Sequence, residues 1–306
     1  MIESFSNAIV IGANGFLGGA LVECLQHKGI NIVAVDCENV VRPGVSFVEA
    51  DICRSNGLGD VARYVESGGA GTVVFQLAGM SHAGSNSRSP LHAWNVNVDG
   101  MLHVLEWCRQ VGIHQIVYPS TSLLYGETIG QTSIETDQVH STSIYTASKL
   151  AVEELLRAYS KEFGMSCAVA RLGNVYGRGA AEDSIAAIIL RQEIQQERFC
   201  VRTLRPVRDF IYVKDVADGL VNLAERALQG SFGIYNLGAG VGTSVGGLIQ
   251  CLCRLGGRAY EAEETGPSEG DTRIVLNIEK IERDCAWRPM WGLDDGLADT
   301  LHLMRS

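Results

Sequence analysis

The stretch Asn7-Ala-Ile-Val-Ile-Gly-Ala-Asn-Gly-Phe-Leu-Gly18 decides how the rest of the chain must fold. Its β-branched run, Ile9 to Ile11, suits a buried strand, and the run stops abruptly at glycine. Phe16, Leu17, Leu21, Val22 and Leu25 then recur at helical spacing. Strand, tight turn and helix start therefore follow one another directly. Gly12, Gly15 and Gly18 let the turn bend and let a backbone approach a ligand closely. A helix N-terminus at that place offers free N–H groups and a positive dipole end to a pyrophosphate. The spacing is G-x-x-G-x-x-G, not the G-x-G-x-x-G of the standard dinucleotide fingerprint. Glycine turns of this kind also occur without any ligand, so the neighbouring segments have to decide.

They point the same way. Ile30 to Val35 reads as a second strand, and it ends in Asp36. A carboxylate there can accept hydrogen bonds from the adenosine ribose and would repel a 2′-phosphate, which favours NAD over NADP. Val45 to Glu49 is a third strand, followed by Asp51-Ile52 where an adenine edge could be met. Thr72 to Leu77 is a fourth, followed by the small residues Ala78 and Gly79. Pro90 opens a long helix to about Gln110, with Trp94, Val98, Met101, Leu102 and Leu105 on one stripe. Gln115 to Tyr118 is a fifth strand, a helix runs about 20 residues from Ile144 to Gly164, and Cys167 to Leu172 is a sixth strand. This alternation predicts an α/β fold with a doubly wound parallel sheet over residues 1–172. Beyond it the alternation weakens, arginines become frequent, and short strands appear at Phe210 to Val213 and Gly233 to Leu237. A smaller α/β domain for substrate over residues 173–306 is expected, with parts of 207–232 packing back on the first sheet.

The chain has 306 residues, 46% of them apolar, and a net charge of −10, which argues against nucleic-acid or anionic-membrane partners. Its nine cysteines are scattered and odd in number, as expected of small core residues in a reducing compartment. Cys251-x-Cys253 has no second ligand pair, so no metal site is expected. The first strand begins without a basic or long apolar leader, and no apolar run approaches the ~20 residues that span a bilayer. A cytoplasmic protein is the expectation.

Tyr145-Thr-Ala-Ser-Lys149 carries the sharpest chemical signal. On a helix, residues four apart share a face, which sets a phenol beside an ammonium. A phenol has a pKa near 10, and a neighbouring cation favours its ionised form. It could then take a proton from an alcohol as hydride leaves the carbon. Taken alone, Y-x-x-x-K is also an ordinary surface pair. Ser120-Thr121-Ser122 directly after the fifth strand would add hydroxyls at the same sheet edge, unless they merely cap a loop.

Together these residues resemble the extended short-chain dehydrogenase/reductases that act on nucleotide sugars, over nearly the whole chain. The likeness rests on Gly12, Gly15 and Gly18, Asp36, Asp51-Ile52, Leu77-Ala78-Gly79, Asn97-x-x-Gly100 and Pro119 to Gly126. It extends through Tyr145 and Lys149, Arg171 to Gly177, and Arg208 to Asp215. The resemblance implies a Rossmann fold and NAD as cofactor, held by Gly12, Asn14, Gly15, Phe16, Leu17, Gly18, Asp36, Asp51, Ile52, Leu77, Ala78, Gly79, Tyr145 and Lys149. It implies Thr121, Tyr145 and Lys149 as catalytic residues, with Tyr145 the base and Lys149 gripping the nicotinamide ribose. It implies a nucleotide diphosphate sugar as partner, met by Ser81, Thr121, Ser122, Asn174, Arg208 and Arg273, and a homodimer. Arginine forks suit phosphate oxygens.

Ser122 and Leu123 stand where water-eliminating members carry Asp-Glu, so dehydratase and decarboxylase readings lose their acid/base. By the same resemblance, Asn277 stands where the family usually has Asp before the final helix. What remains needs hydride and one proton, as in a 4-epimerase. A 4-ketoreductase drawing on NAD(P)H, a cofactor sensor without chemistry, and a hydroxysteroid or flavonoid reductase are the alternatives, the last disfavoured by Arg208 and Arg273.

Overall fold

The computed structural model describes residues 5–39, 42–65, 69–80, 89–127, 131–227, 232–266 and 272–305. Seven parallel strands form its main sheet: β1 (Asn7–Ile11), β2 (Asn31–Asp36), β3 (Ser46–Glu49), β4 (Thr72–Gln76), β5 (Gln115–Thr121), β6 (Ser166–Leu172) and, from much later in the chain, a strand at Phe232–Leu237. Their spatial order runs from Phe232–Leu237 through β6, β5, β4, β1 and β2 to β3. β1 therefore sits between β2 and β4. This is the switch point where the winding reverses and where such sheets bind ligands at their carboxyl ends.

Helices cover both faces, so the central strands are apolar on both sides, as parallel sheets require. In β4, Val73 and Phe75 face one core with Leu21 and Leu25 of α1 (Phe16–His27). Val74 faces the other core, with Met101 and Leu105. Those two side chains belong to a long helical segment that is not uniform. α2 (Pro90–Trp94) passes through a π-helical turn (Asn95–Asp99) into α3 (Gly100–Val111). The wide turn shifts the phase between Trp94 and the residues of α3, and within α3 Leu102 lies about 100° round the helix from Met101. Val98, Met101 and Leu105 are buried as expected, whereas Trp94 and Leu102 lie on the outer surface at 40% and 39% exposure.

α4 (Ile144–Phe163) packs against β5 and β6. Its start is fixed by a reciprocal cap: Thr146 N–H donates to Ser143 Oγ at 3.2 Å, and Ser143 N–H donates to Thr146 Oγ1 at 3.0 Å. Gly164 ends it in the left-handed region at φ 68°. This cap places Tyr145 in the first turn, level with the ends of β5 and β6.

The remaining elements are β7 (Asn174–Tyr176), α5 (Ile185–Ile194), β8 (Phe199–Val201), β9 (Val207–Tyr212), α6 (Val213–Ala227), β10 (Phe232–Leu237), β11 (Gly242–Ser244), α7 (Val245–Gly256), β12 (Ala262–Glu264), β13 (Arg273–Ile274), α8 (Glu279–Cys285) and α9 (Leu293–Arg305). β10 is the edge strand of the main sheet, pairing β6 in parallel. α6 packs on α1, β5 and β6. The chain thus returns to the large sheet after residue 172, because Val216, Leu220 and Leu223 of α6 need the apolar face that α1 shares. A small sheet, β11-β9-β13 with β7 beside β9, has its own core including Phe210, Leu248 and Ile249. Asn277 precedes α8, and its Oδ1 accepts from Glu279 N–H at 2.9 Å.

The turn between β1 and α1 leaves no room for side chains at two glycines. Gly12 has φ +85°, and a Cβ there would lie 2.5 Å from Ala78 N; at Gly18 it would lie 2.0 Å from the Gly12 carbonyl oxygen. Gly18→Ala is expected to cost about 2–4 kcal/mol of stability, measurable as a lowered midpoint in urea unfolding; an unchanged midpoint would mean the turn can open.

Candidate active site

Three cavities follow one another along the carboxyl edge of the main sheet. The largest, 790 Å³, is lined by Gly12, Asn14, Gly15, Asp36, Asp51, Ile52, Leu77, Ala78 and Gly79. A smaller one of 220 Å³ shares Gly12, Gly15, Leu77 and Gly79 with it and adds Phe16, Leu17, Gly18, Pro119, Ser120, Tyr145 and Lys149. A third, 450 Å³, shares Phe16, Leu17, Ser120 and Tyr145 with the second and adds Thr121, Ser122, Leu123 and Asn174. Glycine turn, phenol, lysine and threonine therefore line one continuous groove.

At the wide end, α1 begins at Gly15 with no side chain capping it and no acidic residue in its first turn. That leaves first-turn N–H groups for an anion from outside the protein. The Asp36 carboxylate accepts Asn14 N–H on Oδ2 and Cys37 N–H on Oδ1, each at 2.8 Å, so it also braces the turn it faces. Asp51 accepts Cys53 N–H at 2.9 Å. His92, Asn95, Cys37, Glu38 and Cys53 line this cavity too and were not singled out from the sequence. The polar residues His92 and Asn95, three apart in the predicted helix, were the available signal.

In the narrow part, Lys149 Nζ donates to the Pro119 carbonyl at 2.8 Å and lies 4.5 Å from the Tyr118 ring centroid. It is 5.9 Å from the Tyr145 ring centroid. The chemistry differs from simple spacing arguments. Burial pushes the Tyr145 phenol up to about 12, and the facing Thr121 hydroxyl opposes this only in part. Burial also lowers the Lys149 ammonium to about 8, against the pull of Glu153. Desolvation is the largest cause of both shifts. Thr121 does cap a turn, since its Oγ1 accepts Leu123 N–H at 3.2 Å; β5 extends to include Ser120 and Thr121 themselves. Ser122 is buried and begins a 3₁₀ turn (Ser122–Tyr125).

Arg208 and Arg273 stand on adjacent strands of the small sheet. Arg208 is turned onto Thr272, donating to its carbonyl at 3.2 Å and to its Oγ1 at 3.1 Å. Neither arginine lines the three cavities described, so the structure brings Asn174 but not these arginines to the groove. Ser81 lies outside the described residues. Among the described residues no cluster of metal-ligating side chains occurs, and no helix is long and apolar enough to cross a membrane.

Comparison with known proteins adds to this geometry. The model of the NAD dependent epimerase/dehydratase family matches residues 8–238. A UDP-glucose 4-epimerase of Mycolicibacterium smegmatis is 28% identical over 316 residues, covering 97% of this chain and 98% of that protein. The UDP-glucose 4-epimerase of Thermus thermophilus, solved in complex with NAD, superposes with a TM-score of 0.85 at 28% identity. It covers 98% of this chain and 99% of that one. The UDP-glucose 4-epimerase of Thermotoga maritima, solved with UDP-glucose, gives a TM-score of 0.87 at 26% identity, with 98% of each chain covered. Asp36→Ala is expected to weaken NAD binding about tenfold and to narrow its preference over NADP. Calorimetric titration of nucleotide-free protein checks this, and equal affinities for wild type and variant would count against the role of Asp36.

Proposed function

Because the chain belongs to the NAD-dependent epimerase/dehydratase family, a group of extended short-chain dehydrogenase/reductases, we propose that it interconverts nucleotide diphosphate hexoses at C4. One observation carries this reading. Among the described residues, neither cavity that Tyr145 lines contains an Asp, Glu or His. A site with a phenol and a lysine but no carboxylate or imidazole can manage a hydride and one proton, and it lacks the carboxyl acid/base used to eliminate water.

The groove fits the cofactor of the family. Uncapped N–H groups at the start of α1 suit a pyrophosphate, the Asp36 carboxylate suits ribose hydroxyls, and Gly12 and Gly79 keep the walls low. NAD, when bound, supplies reversible hydride exchange with a sugar carbon and the positive charge that would bring the phenol down from about 12. Tyr145 takes the proton from the C4 hydroxyl and returns it. Thr121 holds the same oxygen. Lys149, anchored on the Pro119 carbonyl, keeps donors for ribose hydroxyls beside the phenol. Asn174 meets the distal part of the substrate in the third cavity. We assign Arg208, whose fork lies on Thr272, and Arg273 to the substrate diphosphate. The 4-keto sugar would turn over, the hydride would return to the opposite face of C4 and Tyr145 would return the proton to O4, so that the oxidation state is restored each cycle. An Asp36 that selects NAD suits such a cycle better than a reductase fed by NADPH. Leu91, Trp94 and Leu102, at 87%, 40% and 39% exposure along α2 and α3, support a homodimer through this face.

Incubating the protein with UDP-, dTDP-, GDP- and CDP-hexoses and following the anomeric signals by NMR tests the reading. Interconversion at C4 without net absorbance change at 340 nm is expected; stoichiometric consumption of NAD(P)H with a 4-keto sugar would establish the reductase instead. Tyr145→Phe is expected to lower kcat by about 10²–10⁴ while leaving NAD bound. The wild-type rate should climb with pH along an acid limb, as the phenol ionises, and flatten above its pKa in the complex. A variant retaining most of the wild-type kcat would remove Tyr145 from the chemistry.

A further inference from the structure

Glu153 lies one helical turn beyond Lys149 on α4 and is 1% exposed. Its carboxylate meets Arg171 of β6, itself 3% exposed, through Nε to Oε1 at 3.1 Å and Nη2 to Oε2 at 2.7 Å. The Ser120 hydroxyl donates to the same Oε1 at 2.5 Å. Ser120 and Arg171 are direct partners across β5 and β6. One carboxylate therefore ties a helix to two strands at the edge where the groove lies. Ser120 stands between Pro119, whose carbonyl receives the Lys149 ammonium, and Thr121, whose hydroxyl faces Tyr145.

Buried ion pairs are poor stabilisers, and apolar replacements of similar volume are often neutral or better. A core that needed only filling would have no use for a serine, a glutamate and an arginine in contact here. The groups facing Lys149 are the rings of Tyr118 and Tyr145 and, one turn along its own helix, Glu153, which is the one that opposes the effect of burial on the ammonium.

We propose that Glu153 is a positioning residue: held by Arg171, it fixes Ser120 so that the Pro119 carbonyl and the Thr121 hydroxyl stay aimed at Lys149 and Tyr145, and its charge retains the ammonium beside them. The inference rests on the roles given above to Tyr145, Thr121 and Lys149.

Two readouts test it on the full chain. The first needs no turnover: trace labelling with acetic anhydride across pH, read at Lys149 by peptide mass spectrometry on nucleotide-free protein. Glu153→Gln should lower the labelling midpoint by about one unit, because a negative charge is lost and Arg171 is left uncompensated. Ser120→Ala should leave that midpoint unchanged. The second readout is steady-state kinetics. Both variants should lose about tenfold to hundredfold in kcat, with KM changed by less than about threefold. The paired swap Glu153→Leu with Arg171→Met controls for folding: it should match wild-type unfolding midpoints yet keep the loss in kcat. An unchanged labelling midpoint in Glu153→Gln, or wild-type kcat in the paired swap, would overturn the proposal. Should the wild-type chain convert no nucleotide sugar, the function proposed above fails, while the labelling midpoint still decides whether Glu153 governs the ammonium.

Discussion

The hydrogen bond from Lys149 Nζ to the Pro119 carbonyl, 2.8 Å long, is the contact on which the rest of the site depends. It joins the second turn of α4 to the end of β5, and so fixes the height of Tyr145 above the sheet edge. It also explains why strand and helix must both be placed accurately. β5 is clamped between β4 and β6, and the Ser143–Thr146 cap sets where α4 begins. Without either, phenol and glycine turn would line separate hollows instead of one groove.

That groove carries different groups at its two ends. The wide end holds the carboxylates of Asp36 and Asp51 and the uncapped start of α1 beside an apolar wall that includes Ile52, Leu77 and Ala78. At the narrow end Tyr145 and Lys149 are half-buried, and desolvation raises the phenol and lowers the ammonium. The base is therefore not ready in the chain by itself. A cationic nicotinamide ring in the 220 Å³ space between Gly12 and Tyr145 would supply the missing charge.

Much of this was legible in the residues. The glycine turn, the order of the first six strands, and the Tyr145–Lys149 spacing are local patterns, and a strand–turn–helix unit leaves few ways to pack. Three things were not legible. The return of β10 to the main sheet depends on which helix covers the face beside α1, a long-range matter that Phe232 to Leu237 does not encode by itself. The π-helical turn at Asn95–Asp99 has no sequence signature of its own, so Trp94 reads as core-facing although it lies outside. The sign of the effect on Tyr145 was also hidden, because spacing gives the distance to a cation and says nothing about how much water burial removes. Arg208 shows the same limit: its motif position is plain, while its turn onto Thr272 is visible only in three dimensions.

The central claim is that one phenol and one hydride site act on the same sugar carbon, and following the hydrogen at C4 tests it most directly. A UDP-hexose carrying deuterium at C4 should be converted to its 4-epimer with the label kept on C4 and none released to water, because the carbon-bound hydrogen never becomes a proton. Loss of the deuterium to solvent during conversion would contradict the account, since it would require a base that removes a proton from carbon.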